Sequence, residues 1–173
     1  MELTQLKNTA SQVRRDIVRM VHACQSGHPG GSLGCADLVV ALYFHEMTIN
    51  EERGEDGYLK FSRAGQNEDL FFLSNGHISP LFYSVLAHRG YFAPAELATF
   101  RKINSRLQGH PATHEHLPGI RIASGSLGQG LSVASGAAKA KKLRGDNCNV
   151  YVLMGDGEQQ EGQVWEAAQF ASH

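Results

Sequence analysis

The chain has 173 residues, which is enough for one domain with a substantial core. Hydrophobic residues make up 42% and charged residues 19%, and the net charge is −1, so the composition is that of an ordinary globular protein with no basic surplus for nucleic acid. No apolar run approaches the roughly 20 residues that span a bilayer, and the polar N-terminus lacks a signal-peptide core. Three cysteines without a CxxC pair favour a reducing compartment, so we expect a cytoplasmic protein.

The predicted elements alternate helices with short apolar strands. Apolar residues spaced three and four apart predict a first helix from Leu3 to Cys24, which the glycines and proline of 25–34 end. A second, mostly buried helix is predicted over 35–47 and a polar surface loop over 50–69. The remaining predictions are a strand at 70–74, a helix opened by Ser79 as N-cap and Pro80 and closed by Gly90, a short helix at 94–102, a loop at 109–130, a helix at 131–143, a strand at 149–154 and a helix at 161–172.

The order of these elements predicts the fold class. Because the strands are apolar without polar alternation, we expect an α/β fold, a parallel doubly wound sheet with helices on both faces, formed by residues 1–173 as a single domain. The sequence GSLG occurs twice, at 31–34 and at 125–128, each time before a predicted helix. Free backbone N–H groups at a helix N-terminus suit a phosphate, although glycine and serine also recur in such turns by chance.

The predicted strand at 149–154 ends at Gly155-Asp156-Gly157. Ligands of α/β sheets lie beyond the carboxyl ends of strands, and glycines let an anion approach the main chain. A carboxylate that faces a phosphate needs a divalent cation between them, and Mg²⁺ suits that arrangement. For this short motif on its own, an aspartate that caps a tight turn is the more frequent explanation. Glu158 and Glu161 fit favourable charges at a helix N-terminus.

Three histidines occupy similar turns: His28, His77 and His110 each follow a glycine and precede a proline by one to three residues. Imidazole can donate hydrogen bonds to phosphate or sugar oxygens and can move protons near neutral pH. Any one of them fits an exposed loop residue, but three in such settings favour a shared site. The sequence contains no CxxC pair of zinc ligands, no Walker A sequence and no GxGxxG.

Five segments form a recognisable pattern across nearly the whole chain: SGHPGGSLG (26–34), LSNGHISPLFYSVLAHRGYF (73–92), RLQGHP (106–111), SGSLGQGLSVA (124–134) and GDGEQQEGQVWEAA (155–168). In this order they resemble the N-terminal part of a transketolase, and most closely the N-terminal subunit of split transketolases. The resemblance implies the diphosphate-binding domain of a thiamine diphosphate enzyme.

The resemblance also implies roles for individual residues. His28 and His110 would be catalytic, facing substrate hydroxyls and taking part in proton movement. Asp156 would be the metal ligand, for Mg²⁺ or Ca²⁺. The residues implied in cofactor binding are His77, Gly125, Ser126, Leu127, Asp156, Gly157 and Glu161.

The implied reaction is transfer of a two-carbon ketol unit from a ketose phosphate to an aldose phosphate, as in the pentose phosphate pathway. The implied partner is a C-terminal transketolase subunit or domain, in a homodimer or heterotetramer. In the family, an asparagine that completes the Mg²⁺ shell lies about thirty residues beyond the GDG motif. The chain ends at His173, before that position, so we expect part of a subunit, inactive alone. The alternatives are a non-catalytic remnant that binds a partner chain, and another thiamine diphosphate enzyme such as deoxyxylulose-phosphate synthase.

Overall fold

The computed structural model describes the whole chain, from Met1 to His173. The regular elements are α1 (Leu3–Cys24), α2 (Pro29–Gly34), α3 (Ala36–Ala41) with a π-helical turn at Leu42–Glu46, β1 (Leu70–Leu73), α4 (Ser79–Arg89), α5 (Gln129–Leu143), β2 (Val150–Leu153) and α6 (Gly162–Ala171). Short 3-10 helices occur at Gly76–Ile78, Pro94–Thr99, Thr113–Glu115 and Gly157–Gln160. No helix combines the length and the apolar character that a membrane crossing requires.

The two strands form a parallel sheet that is covered by helices on both faces. Leu70 of β1 lies opposite Val150 of β2, and the register continues to the ends of both strands. Phe71 and Leu73 of β1 belong to the main core together with residues of α1, α3 and α4. Their neighbours Leu70 and Phe72 face the other way and pack with Ala134 of α5. The predicted α/β fold is therefore confirmed, here with a two-stranded sheet.

Helix α4 lies at the centre of the main core. Every residue from Ser79 to Ala87 is buried, which explains why the helix is apolar on all sides. Gly90 ends it in the left-handed conformation at φ +100°, as predicted. The predicted cap at Ser79 is wrong, because Ser79 is already helical and its hydroxyl donates to the carbonyl of Gly109 at 2.7 Å. That bond ties the 109–110 turn to the start of α4.

Several predicted boundaries differ from the structure. The break predicted at 25–34 contains the short helix α2, and the helix predicted at 35–47 divides into α3 and its π-helical turn. The helix predicted at 94–102 is a 3-10 helix that ends at Thr99. The last helix begins at Gly162, after a 3-10 turn. All three cysteines are free.

The 50–69 loop is not entirely at the surface, contrary to the prediction. Glu68 and Asp69 are both buried. Glu68 accepts a hydrogen bond from Arg121 at 2.8 Å, with both side chains less than a tenth exposed. The carboxylate of Asp69 accepts from the backbone N–H groups of Thr48 and Asn149. These carboxylates attach the end of the loop to the sheet because each satisfies donors on distant segments.

Candidate functional site

The candidate site lies at the carboxyl ends of the two strands. Because β1 and β2 are parallel, the segment after each one leaves the sheet at the same edge: 74–77 after β1 and 155–157 after β2. The His77 ring contacts the His28 ring edge-on, with centroids 5.2 Å apart. His28 directly precedes α2, so this contact places the start of α2 at the same edge.

His110 lies in the same region as His28 and His77. Gly125 has φ +123°, and a Cβ added there would lie 2.6 Å from Cδ2 of His110. Only glycine therefore lets the 124–128 loop lie against the His110 ring. Repulsion from His28 and His77, when these rings are protonated, also lowers the pKa of His110. The structure thus brings together His28, His77 and His110, which we call the histidine cluster.

The environment of His77 and His110 favours the neutral form of both imidazoles. Partial burial lowers the pKa of His77, and the nearby His28 lowers it further, while the carboxylate of Glu158 acts in the opposite direction. Desolvation likewise lowers the pKa of His110, and Arg101 and the two other histidines add to this effect. Neutral imidazole can both donate and accept a hydrogen bond, so these rings are suited to binding polar groups and to accepting a proton.

Buried polar atoms without a partner concentrate around this cluster. Asn75 Oδ1, Arg101 Nε and Ser124 Oγ are the buried side-chain atoms that make no hydrogen bond within the protein. A Cβ added to Gly155 would lie 3.8 Å from Asn75 Cβ, and one added to Gly76 would lie 2.6 Å from the carbonyl carbon of Ser124. The positive charge of Arg101 lowers the pKa of His110, so Arg101 lies near the cluster as well. Each unpaired buried group costs about 1–3 kcal/mol, so their clustering at one place indicates a ligand-binding site.

Asp156 and Gly157 are exposed at the end of β2. Asp156 precedes the 3-10 turn but its side chain makes no capping hydrogen bond, so the explanation of this motif as a capping aspartate is wrong. A Cβ added to Gly157 would meet nothing within 4 Å, which leaves open space over the main chain there. No group of three histidine, cysteine or acidic side chains forms a ready metal site. A metal at Asp156 would therefore take its other ligands from a bound molecule, water or the main chain.

The other predicted cofactor residues lie in the 124–128 loop and at the start of α6. Ser126 and Leu127 are exposed, and Ser126 Oγ accepts a hydrogen bond from Gln129 at 2.8 Å. Glu161 is exposed and its side chain does not cap α6. A Cβ on Gly128 would lie 2.9 Å from Glu161 Cβ, so Glu161 lies directly against this loop.

The two GSLG segments do not form equivalent helix N-termini with free N–H groups. At the second segment, Gly128 N–H donates to Glu158 at 2.8 Å, and Gly130 N–H donates to Ser74 Oγ at 3.1 Å. The first segment, 31–34, lies inside α2 rather than in a loop. The repeated sequence therefore has two different structures and provides no pair of equivalent phosphate sites.

Glu158 is the residue at this site that sequence reasoning missed. The sequence predicts only a favourable charge at a helix N-terminus, but the side chain is 2% exposed. Its carboxylate accepts hydrogen bonds from Ser74, Gly128 and Gly155. The bond to Gly155 N–H runs three residues back along the chain, as the glutamate of a capping box does, and that spacing is the one signal visible in the sequence.

Comparison with known proteins shows which family this chain is similar to. The family model for the transketolase thiamine diphosphate-binding domain matches residues 5–173. Human transketolase is 40% identical over 172 residues, which cover 99% of this chain and 26% of that protein. In Phocaeicola vulgatus, one of the subunits of apulose-4-phosphate transketolase is 34% identical, over 97% of this chain and 56% of that protein.

Solved structures give the same result. A transketolase variant from Pichia stipitis superposes with a TM-score of 0.86 at 33% identity, over 97% of this chain and 25% of that one. Transketolase from Leishmania mexicana gives a TM-score of 0.84 at 30% identity, over the same shares of the two chains.

The fold, the site and these likenesses define a thiamine diphosphate-binding domain. The chain belongs to the transketolase family and corresponds to its N-terminal domain. It spans about a quarter of the length of human transketolase and a little over half of the Phocaeicola protein.

Proposed function

We propose that this chain is the diphosphate-binding component of a transketolase. With a partner it would transfer a two-carbon ketol unit from a ketose phosphate to an aldose phosphate. The observation that carries the proposal is the position of the unpaired buried atoms, because Asn75 Oδ1, Arg101 Nε and Ser124 Oγ all border the histidine cluster at the carboxyl ends of the strands. A phosphorylated, hydroxylated ligand offers donors and acceptors for such atoms.

The residues at the strand ends fit a diphosphate held with Mg²⁺ (or Ca²⁺). Asp156 has a carboxylate free of capping bonds, and the space over Gly157 leaves room for phosphate oxygens beside the main chain. The lowered pKa of His77 leaves its ring neutral, with one N–H to donate to an oxygen. When bound, thiamine diphosphate supplies the nucleophilic carbon that the protein itself lacks.

The 124–128 loop would receive the organic part of the cofactor. Gly125 brings backbone close to the histidine cluster, and Ser126 offers a hydroxyl at an exposed position. Leu127 is 39% exposed, so its apolar side chain is free to pack on a ring. Glu161 lies against this loop and would approach the partner chain there.

His28 and His110 would act on the sugar. Both belong to the histidine cluster, and the lowered pKa of His110 keeps its imidazole available as a proton acceptor. Arg101, which donates to Ser26 Oγ at 2.9 Å, places a positive charge beside them. We infer that these groups orient the hydroxyls of the sugar phosphate substrates and move protons during cleavage and transfer.

A second chain would complete the site. We propose a C-terminal transketolase subunit or domain, in a homodimer or heterotetramer, with residues 1–173 as one domain that is inactive alone. Exposed Val133 and the open surface at Gly136 on α5, together with exposed Leu127, support close packing there. The three free cysteines support a cytoplasmic location.

The experiment is calorimetric titration of thiamine diphosphate into the complete protein with its partner, with and without Mg²⁺. We expect Mg²⁺-dependent binding that Asp156→Ala abolishes. The matched control is Asp56→Ala, which also removes an aspartate that precedes a glycine in a turn, but in the 50–69 loop. Unchanged affinity in Asp156→Ala would remove Asp156 from the metal site. Absence of cofactor binding in the unmodified protein would favour a non-catalytic remnant.

A further inference from the structure

Glu158 joins three segments that surround the candidate site. One carboxylate oxygen, Oε1, accepts from Ser74 Oγ at the end of β1 and from Gly128 N–H at 2.8 Å in the loop before α5. The other oxygen, Oε2, accepts from Gly155 N–H at 2.9 Å after β2. These donors lie 84, 30 and 3 residues away from Glu158 in the sequence. A single side chain therefore connects the segments that carry the proposed cofactor contacts.

Ser74 extends the connection into helix α5. Its hydroxyl donates to Glu158 and accepts from Gly130 N–H at 3.1 Å. Gly130 leaves no room for a side chain, because a Cβ there would lie 2.8 Å from Ser74 Cα. The first turn of α5 therefore rests directly on the end of β1, with Glu158 completing the hydrogen bonds of both.

Burying the charged carboxylate of Glu158 costs free energy, because the charge loses its hydration. Glu158 is 2% exposed and has no salt bridge to a basic side chain. Burial of a carboxylate is tolerated only when its oxygens are fully hydrogen-bonded, and here backbone N–H groups and a hydroxyl supply the bonds. The N-terminal end of α5 adds a favourable dipole. Truncating this side chain would release three segments at once.

We infer that Glu158 is a positioning residue. It holds Ser74–His77, the 124–128 loop and Gly155–Gly157 in the relative placement that a bound diphosphate cofactor requires. This inference rests on the proposed function, because it assigns the purpose of the arrangement to that same cofactor. Glu158 would act through these segments, since it is 2% exposed and each of its oxygens already accepts a hydrogen bond from a protein donor.

The test compares Glu158→Gln and Glu158→Ala in the complete protein with its partner. A glutamine can present an acceptor to only one of the two glycine N–H groups, whereas alanine presents none. In hydrogen exchange without cofactor, we expect Glu158→Gln to lose protection at either Gly128 or Gly155, and Glu158→Ala to lose it at both. The amide of Leu70, which bonds across the sheet to Asn149, should keep its protection in both variants.

Cofactor affinity is the measurement that distinguishes a positioning role of Glu158 from a role in overall stability alone. We expect Glu158→Gln to raise the dissociation constant for thiamine diphosphate with Mg²⁺ at least 10-fold. The control is Val13→Ala, a core truncation in α1 at a fully buried position, which should lower the melting temperature without changing that constant. Unchanged exchange at Gly128 and Gly155 in Glu158→Ala, or changed exchange with unchanged affinity, would overturn the inference. If the unmodified protein binds no cofactor, the proposed function fails, and the exchange data still decide whether Glu158 holds the segments together.

Discussion

The contact between α5 and the end of β1 gives the sharpest stability prediction. Gly130→Ala and Gly136→Ala make the same change in the same helix, and each would gain about 1 kcal/mol in helix propensity. A Cβ at position 136 meets nothing within 4 Å, whereas at position 130 it would lie 2.8 Å from Ser74 Cα and closer still to the Ser74 side chain. Ordinary carbon contacts are about 3.5–4.0 Å, so α5 would have to move by roughly 1 Å.

The two effects at position 130 outweigh the gain in propensity. Overpacking of a buried contact costs about 1–3 kcal/mol, and loss of the hydrogen bond from Gly130 N–H to Ser74 Oγ costs about 1 kcal/mol more. We therefore expect Gly130→Ala to lower the free energy of unfolding by about 1–3 kcal/mol and Gly136→Ala to raise it by up to about 1 kcal/mol. Urea unfolding followed by circular dichroism measures both. Equal stability of the two variants would refute the close contact between α5 and Ser74.

Three further predictions concern charge and chemistry. Glu68→Gln breaks a buried pair with Arg121 and should cost about 3–5 kcal/mol in urea unfolding; a loss below about 1 kcal/mol would contradict a desolvated pair. Folding lowers the pKa of His77 and His110, so the unfolded chain binds more protons, and stability should fall as the pH drops below about 6.5. Urea midpoints at several pH values measure this, and His110→Gln should flatten the dependence; an equal slope in that variant would exclude His110 as its source. With the partner present, His28→Ala should lower turnover more than cofactor affinity, and unchanged steady-state kinetics would remove His28 from the reaction.

The sequence could predict features that depend on local pattern. Apolar spacing predicted α1 with the observed bounds, and Gly90 marked the end of α4. The parallel sheet followed from apolar strands alternating with helices. The three histidines were singled out by their similar turns, and the structure brings them together. These successes share one cause, since each depends on residues close together in the chain or on the order of elements.

The features that sequence reasoning missed depend on long-range contacts. Glutamate is usually a surface residue, and only the bonds of Glu158 to Ser74 and Gly128 explain its burial. Glu68 and Asp69 were placed in a surface loop because no local signal shows the donors that satisfy them. The N–H groups of Gly128 and Gly130 look free in the sequence, because the oxygens that bind them come from distant segments.

The most direct test of the account is a crystal structure of the complete protein with its partner, grown with thiamine diphosphate and Mg²⁺. The account predicts diphosphate density beside Gly157 within hydrogen-bond reach of His77, a metal ion bound by Asp156, and new partners for Asn75 Oδ1 or Ser124 Oγ. Cofactor density at another place on the protein, with the histidine cluster left to water, would contradict it.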